Sequence, residues 1–355
     1  MTTSSDAIRV ALIGYGYAGR TFHAPLITAT PGLVLTVIGS SQVEQVLADL
    51  SHSRVVPPEA AATDAEVDLV VIATPNRTHA RLAAAALSSG KHVIVDKPFT
   101  VSLQEARDLA ALARQRNRLL SVFQNRRWDS DFLAVKSLLR ANRIGEPVHF
   151  ESHFDRFRPE VQPRWREQAG PAAGVWYDLG PHLVDQALCL FGLPATVTAS
   201  FARQRETATV IDWAHVVLEY GRLRVLLHAS MLAAGGSPRF IVHGTRGTWI
   251  KCGFDGQEDQ LRRGIRPGVS GWGEDPQPGG IYEPDGRHAE DPASPAGDYR
   301  LYYAAIRDAL LQGGENPVTP SQAIAVMAVL ETAAQSASSG KTLPLPLSEQ
   351  ERSAF

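Results

Sequence analysis

The first third of the chain alternates short, predominantly apolar runs with longer segments of other character. The runs at residues 8–13, 33–38, 69–73, 92–95 and 119–123 read as strands buried on both faces, the pattern of a parallel sheet. Between them, residues 17–30, the alanine-rich 78–89 and residues 103–116 read as helices. Pro25 must kink the first of these or set its packing. Gly90 stops the second, and Ser102 with Glu105 forms a capping box that starts the third. Strand and helix repeated in this way predict a doubly wound parallel sheet.

From about residue 125 the pattern changes. Residues 131–142 are still helical, but 147–157, 195–203, 213–220, 223–231, 239–243 and 248–251 predict successive strands. Alternation is frequent, as in His215-Val216-Val217-Leu218-Glu219-Tyr220, so this sheet is expected to be mostly antiparallel, with one face exposed or used for oligomerisation. Residues 253–297 are rich in glycine, proline and charge and predict a long surface excursion over the sheet, either a functional lid or a solvated loop. Helices over 298–311 and 320–338 and the string Leu343-Pro344-Leu345-Pro346 close the chain. The expected architecture is α/β: a Rossmann domain over residues 1–124, then an α+β domain over 125–355 with a large, mostly antiparallel sheet.

Composition narrows the partners. A chain of 355 residues, 44% of them hydrophobic, is long enough for two cores. With 35 basic and 37 acidic residues, a net charge of -2 and no block of like charge, nothing favours nucleic acid or a membrane surface, and a small molecule is the expected partner. Cys189 and Cys252 cannot make a disulfide framework and lack metal-ligand spacing, so they read as reduced thiols. Residues 1–6 are polar with no apolar signal core behind them, and no run reaches membrane-spanning length. A cytoplasmic location is the expectation.

The candidate chemistry begins where the first strand enters Gly14-Tyr15-Gly16-Tyr17-Ala18-Gly19. At this spacing the first glycine permits a tight turn, the second lets the backbone approach a pyrophosphate, and the third lets a helix lie close to the strand. Gly14, Gly16, Tyr17, Ala18 and Gly19 are therefore candidate cofactor contacts. The second strand ends Gly39-Ser40-Ser41-Gln42, without the carboxylate that usually holds the adenosine ribose. Two serine hydroxyls can donate to a 2'-phosphate that an acid would repel, so NADP is favoured, with NAD the alternative. Ser40 and Ser41 serve equally well as plain turn residues, and Arg20 and Arg54 are the candidate cations for the phosphate.

Ligands of such sheets bind outside the carboxyl ends of the strands, which places Thr74, Pro75, Asn76 and His79 at the cofactor; His79 could equally lie on a helix surface. The next strand ends Asp96-Lys97-Pro98, and its position aims Lys97 into the cleft. Whether the Lys97-Pro98 peptide is cis is open at this level. In the second half, Asp178 and His182 are four apart and share a helix face, where the carboxylate can orient or charge the imidazole. Such a pair serves a structural hydrogen bond as often as proton transfer. Together with Lys97 it supplies alkoxide stabilisation and a proton relay, and no metal is required. Pro181 fits this helix most easily if the helix begins near Asp178.

These residues resemble the Gfo/Idh/MocA family of oxidoreductases, over essentially the whole chain. The glycine turn is similar to its cofactor turn, Asp96-Lys97-Pro98 to its Glu-Lys-Pro motif, and Asp178 with His182 to its Asp-x-x-x-His motif. Within the family, Phe22-His23-Ala24-Pro25-Leu26, Asn125-Arg126-Arg127-Trp128-Asp129, Arg156-Phe157-Arg158-Pro159-Glu160-Val161 and Trp165-Arg166-Glu167 are most similar to the NADP-dependent scyllo-inositol dehydrogenases. The resemblance implies that Lys97, Asp178 and His182 are catalytic, His182 exchanging the proton and Lys97 holding the substrate hydroxyl. It further implies Asp96, Lys97, Asn125, Trp165 and Arg166 at the cofactor, and Arg126, Arg156 and Tyr177 beside the substrate. The implied reaction moves a hydride between nicotinamide and a secondary hydroxyl or ketone of a cyclic polyol or sugar, scyllo-inositol and its inosose first. Glucose or xylose dehydrogenation is the alternative within enzymes, and a non-catalytic dinucleotide-binding sensor the alternative outside them. A homodimer or homotetramer built on the second-domain sheet is also implied. Asp96 in place of glutamate, and Pro181 where a small polar residue is usual, bear on the substrate more than on the reaction.

Overall fold

The computed structural model describes residues 7–290 and 294–355; the polar start at 1–6, and 291–293 of the excursion, lie outside the described residues. The chain forms two compact units. One comprises the chain up to Trp128 with Gln257–Trp272 and Asp298–Ala323, and the other comprises Asp129–Gly256, Gly273–Gly297 and Ile324–Phe355. The first unit thus reclaims two stretches that a single cut at residue 124 assigns to the second.

In the first unit, β1 (Ile8–Ile13), β2 (Leu33–Gly39), β3 (Arg54–Val56), β4 (Leu69–Ile72), β5 (His92–Val95) and β6 (Leu120–Val122) form a parallel sheet in the order β3-β2-β1-β4-β5-β6. Leu12, Ile13, Val70, Val71, Ile94 and Val95 are fully buried, as expected of strands apolar on both sides, each worth roughly 1.5–3 kcal/mol of burial. The strand order reverses between β1 and β4, so a crevice opens at the carboxyl ends of those two strands. Sequence patterning missed β3 and the helices Val43–Asp49 and Pro58–Ala62, which are too short to carry a period.

The proline in the first helix is met by a change of helix type. Gly19–His23 is a π-helical turn in which the Ala24 N–H bonds to the Gly19 carbonyl, and an α-helix, Ala24–Thr28, follows with Pro25 in its first turn. Pro25 has no N–H to give back to that turn, and the change of helix type falls where the chain adjusts to it. In helix Leu103–Gln115 the Glu105 N–H bonds to Ser102 Oγ as expected, but the Glu105 carboxylate reaches back one residue further, to the Val101 N–H.

The second unit contains a nine-stranded sheet of β7 (Pro147–Asp155), β8 (Thr196–Ala202), β9 (Trp213–Tyr220), β10 (Leu223–Ser230), β11 (Phe240–Gly244), β12 (Gly247–Lys251), β13 (Gly280–Tyr282), β14 (His288–Glu290) and β15 (Leu343–Pro344). Its order is β14-β13-β12-β11-β7-β10-β9-β8-β15, antiparallel except for the β7/β10 pair. Residues alternate along it, with Phe150, Phe154, Val216, Leu218, Val225, Leu227, Phe240 and Val242 in the core. Helix Val175–Phe191 packs on that apolar side.

The stretch 253–297 is not one surface excursion. Its helix Gln257–Arg262 belongs to the first unit, while β13 and β14 extend the second unit's sheet. Strands of three residues are too short to show alternation, which is why this sequence reads as loop. No helix among the described residues is long and apolar enough to cross a membrane.

Candidate active site

The three glycines divide their labour as the spacing implies. Gly14 has φ +97° and follows β1 directly; a Cβ there would collide with the Ala73 carbonyl. A Cβ on Gly19 would collide with the Gly14 carbonyl oxygen, so the third glycine is what lets the π-turn pack on the bend. Gly16 differs: it is exposed, and an added Cβ would meet no protein atom within 4 Å. The turn therefore leaves open backbone where a pyrophosphate can approach, beside a helix start that favours an anion. A dinucleotide fits these residues.

On the far side of the crevice, the turn after β4 is tightly braced. Thr78 Oγ1 donates to the Pro75 carbonyl at 2.8 Å, and stands 2.7 Å from Thr74 Oγ1. His79 is buried, its Nε2 2.8 Å from the Thr74 carbonyl and its Nδ1 2.9 Å from the Pro98 carbonyl. Burial pushes its pKa down, so the neutral ring donates to one of these carbonyls and spans the Thr74 and Pro98 turns. His79 is thus neither on a helix surface nor directed outward.

Lys97 follows β5, is half-buried, and is joined to Pro98 by a cis peptide. Its N–H donates to Asp96 Oδ1 at 2.8 Å. Asp96 is buried; burial opposes its charge, but His23, Lys97 and His79 outweigh this and hold the carboxyl below its usual range. His23, wholly buried in the π-turn, places Nε2 3.9 Å from Asp96 Oδ1 and Nδ1 2.6 Å from the Tyr303 hydroxyl. It links the glycine-turn helix to the lysine turn. Sequence reading noted His23 only within a string, since its partners Asp96 and Tyr303 are distant in the chain.

Ser40 and Ser41 follow β2, Ser40 buried and Ser41 exposed. Ser40 Oγ accepts the Gln42 N–H at 3.0 Å, which leaves its hydroxyl proton to donate. The two candidate phosphate cations are committed elsewhere: Arg20 to Asp49 at 2.6 Å and Arg54 to Asp64. Asn125 and Arg126 lie buried in the turn Asn125–Trp128. Glu258 ties this turn to the glycine loop, accepting from Arg126 Nη2 at 2.6 Å and from the Tyr17 hydroxyl at 2.7 Å. Tyr17 and Glu258 are 241 positions apart, so no local signal could have paired them.

In the second unit, Asp178 and His182 stand one turn apart on helix Val175–Phe191. The helix starts three residues before Asp178, because Gly174 (φ +86°) gives its N–H to the Arg166 carbonyl and Val175 gives its own to Ile211. Pro181 consequently lies in the helix interior, against the expectation of a start at Asp178. Gly180 before it is required for close packing: a Cβ would come 2.8 Å from the Trp176 ring and 3.0 Å from Leu330.

Arg166 Nε lies 3.3 Å from Asp178 Oδ1, and its guanidinium stacks over the Trp165 ring at 4.5 Å. His182 is buried and stacks on Phe154, whose ring is also faced by Arg156 and Arg239, each at 5.3 Å. Burial, then the charge of Glu331, pushes the Tyr177 hydroxyl up to about 12. The loop bearing Trp165 and Arg166 is pinned from beneath by Arg205, which is buried and bonds to Glu167 Oε2 and Asp212 Oδ2, both at 3.0 Å, and to the carbonyls of Arg158 and Glu160. Arg205, Asp212 and Arg239 escaped sequence reading, because a charged residue that is going to be buried looks like any other charged residue.

Comparison with known proteins matches both parts of the chain. Residues 8–124 match the oxidoreductase family's NAD-binding Rossmann fold, and residues 136–346 its C-terminal alpha/beta domain. The uncharacterized oxidoreductase YdgJ of Escherichia coli is 54% identical over 96% of this chain and 99% of its own. The NADP(+)-dependent scyllo-inositol 2-dehydrogenase IolW of Bacillus subtilis is 37% identical over 96% of each chain. The crystal structure of a Klebsiella pneumoniae protein, 54% identical, superposes with a TM-score of 0.93 over 98% of both chains. An NAD(+)-dependent scyllo-inositol 2-dehydrogenase of Bacillus subtilis matches 55% of this chain at 28% identity. The chain belongs to the Gfo/Idh/MocA family of oxidoreductases, with an NAD(P)-binding Rossmann domain followed by the family's α/β domain.

Proposed function

We propose that this oxidoreductase is an NADP(H)-dependent dehydrogenase of a cyclic polyol or sugar, with scyllo-inositol and its inosose as the first pair. The observation that carries the reaction type is the Asp178/His182 pair on one helix face, its carboxylate ion-paired to Arg166. A secondary alcohol that becomes a ketone loses one hydride and one proton. A nicotinamide dinucleotide held by the first unit would supply the hydride acceptor. His182 takes the proton, Asp178 favours the imidazolium that results, and Lys97 holds the substrate oxygen and stabilises negative charge on it. The Gly14–Gly19 turn would hold the pyrophosphate, with its open backbone at Gly16, and Trp165 and Arg166 would approach the cofactor.

The absence of a carboxylate after β2, the free donor proton of Ser40 and the exposed Ser41 support NADP over NAD. The similarity to IolW supports both the cofactor and the substrate. The test is the absorbance of reduced nicotinamide while purified protein, with NADP and separately with NAD, is offered scyllo-inositol, myo-inositol, glucose and xylose. Turnover of scyllo-inositol with NADP supports the reading. Turnover only of another sugar keeps the reaction and replaces the substrate; tight dinucleotide binding without turnover of any polyol, in either direction, favours a sensor.

A further inference from the structure

The side of the second sheet turned away from helix Val175–Phe191 carries a row of histidines that the oxidoreductase chemistry does not use. His153 on β7, His228 on β10 and His215 on β9 are cross-strand partners. Two positions along β7 from His153, on the same face, stands Asp155. Its side chain is 3% exposed, and neither of its oxygens, nor His153 Nδ1, makes a hydrogen bond. Such buried acceptors facing one another are costly unless a cation or proton lies between them.

We propose that His153 Nδ1, the Asp155 carboxylate and His228 Nε2 bind a divalent transition-metal ion of the zinc class. These ligand atoms all fall within 4.8 Å of one another. His153 Nδ1 is 3.5 Å from Asp155 Oδ2, and His228 Nε2 is 3.6 Å from Asp155 Oδ1. A tetrahedral ion with bonds of about 2.0–2.1 Å needs ligand separations of about 3.3–3.4 Å; each imidazole is within a few tenths of an ångström of that from its own oxygen of the one carboxylate, and the two imidazoles, within 4.8 Å, draw together as the ion binds.

The outer shell also suits a metal. His153 Nε2 is 2.7 Å from Glu151 Oε2, so it donates to that carboxylate, and in the neutral ring Nδ1 then offers its lone pair. His228 Nδ1 is 3.3 Å from His215 Nδ1; when it donates there, Nε2 is likewise bare. A carboxylate–histidine–metal arrangement of this kind fixes the ring and strengthens the ligand. Two imidazoles and a carboxylate are a borderline set that suits zinc over calcium or magnesium, and three protein ligands leave the fourth position to water or another donor. The ion joins neighbouring strands β7 and β10.

The experiment uses tag-free, chelator-stripped full-length protein titrated with zinc chloride against a chromogenic chelator. One zinc per chain is expected, and cobalt(II) in its place should give the intense visible bands of a tetrahedral site. Asp155→Asn and His228→Gln should each abolish the stoichiometric ion. Glu151→Gln, which alters the carboxylate shared by His153 and His149 and no proposed ligand, should weaken it by about 10- to 100-fold. His243→Gln, on β11 of the same sheet, should leave affinity unchanged. Melting of the metal-free variants establishes that they are folded, and the cobalt spectrum of the native protein tests the site without any substitution. No stoichiometric zinc on the native protein, zinc retained by folded Asp155→Asn and His228→Gln, or zinc lost in His243→Gln would each overturn the proposal.

Discussion

Arg166 Nε stands 3.3 Å from Asp178 Oδ1, so the carboxylate one helical turn before His182 is held by a cation. The Arg166 guanidinium is fixed in turn by the Trp165 ring. Both members of the pair are partly exposed, with side-chain exposures of 30% and 21%, so the bond serves orientation more than stability. Arg166→Ala is expected to lower kcat/KM by about tenfold, the scale of one charge-assisted hydrogen bond, with little change in melting temperature. Steady-state kinetics beside a thermal melt check this; unchanged kcat/KM would remove Arg166 from the site.

The glycine turn separates fold from binding. Gly19→Ala places a methyl against the Gly14 carbonyl, whereas Gly16→Ala places one in open space. Gly19→Ala should therefore lose both stability and dinucleotide affinity, while Gly16→Ala should melt like the native protein and still bind the dinucleotide at least tenfold more weakly, a loss of about 1.4 kcal/mol. Calorimetric titration and thermal melts of the two variants check the contrast.

Arg205 is the buried hub beneath the Trp165–Glu167 turn, bonded to Glu167 and Asp212. Removing one partner of a buried ionic cluster leaves uncompensated charge and costs about 3–5 kcal/mol. Arg205→Met should lower the urea midpoint accordingly and loosen the loop that carries Arg166. A midpoint equal to the native value would mean that the cluster is dispensable.

The buried His79 gives a pH dependence of definite sign. Burial lowers its folded-state pKa below the ordinary 6.5, so as pH falls the unfolded chain takes up the proton first. The stabilisation by its neutral form is full above that ordinary value, and is lost as pH falls below it toward the depressed folded value, by at most about 1.4 kcal/mol per pH unit. Urea midpoints at about pH 7.5 and about pH 5.5 should fall with acidification in the native protein and fall less in His79→Gln.

Local features of this fold were legible in the sequence. Buried parallel strands declare themselves as unbroken apolar runs, the glycine turn as three residues of fixed spacing, and the Asp178/His182 pair as one helical turn. Even here, Pro25 did not reveal the π-turn that accommodates it, nor Pro181 the earlier helix start, because both are settled by main-chain bonds to Gly19, Arg166 and Ile211. What stayed hidden was assembled across long separations: Tyr17 with Glu258, His23 with Tyr303, Arg205 with Glu167, and the row His153, His228 and His215. A histidine on an alternating strand carries no mark of which histidine the next strand will bring beside it.

The central claim is that His182 exchanges the proton while the first unit holds the dinucleotide. It is tested most directly by kcat for oxidation of the preferred polyol by His182→Asn, measured alongside NADP affinity. A fall of about 10²- to 10⁴-fold in kcat, the usual scale of one acid–base group, with NADP binding unchanged, is the predicted result; kcat near the native value would contradict the account.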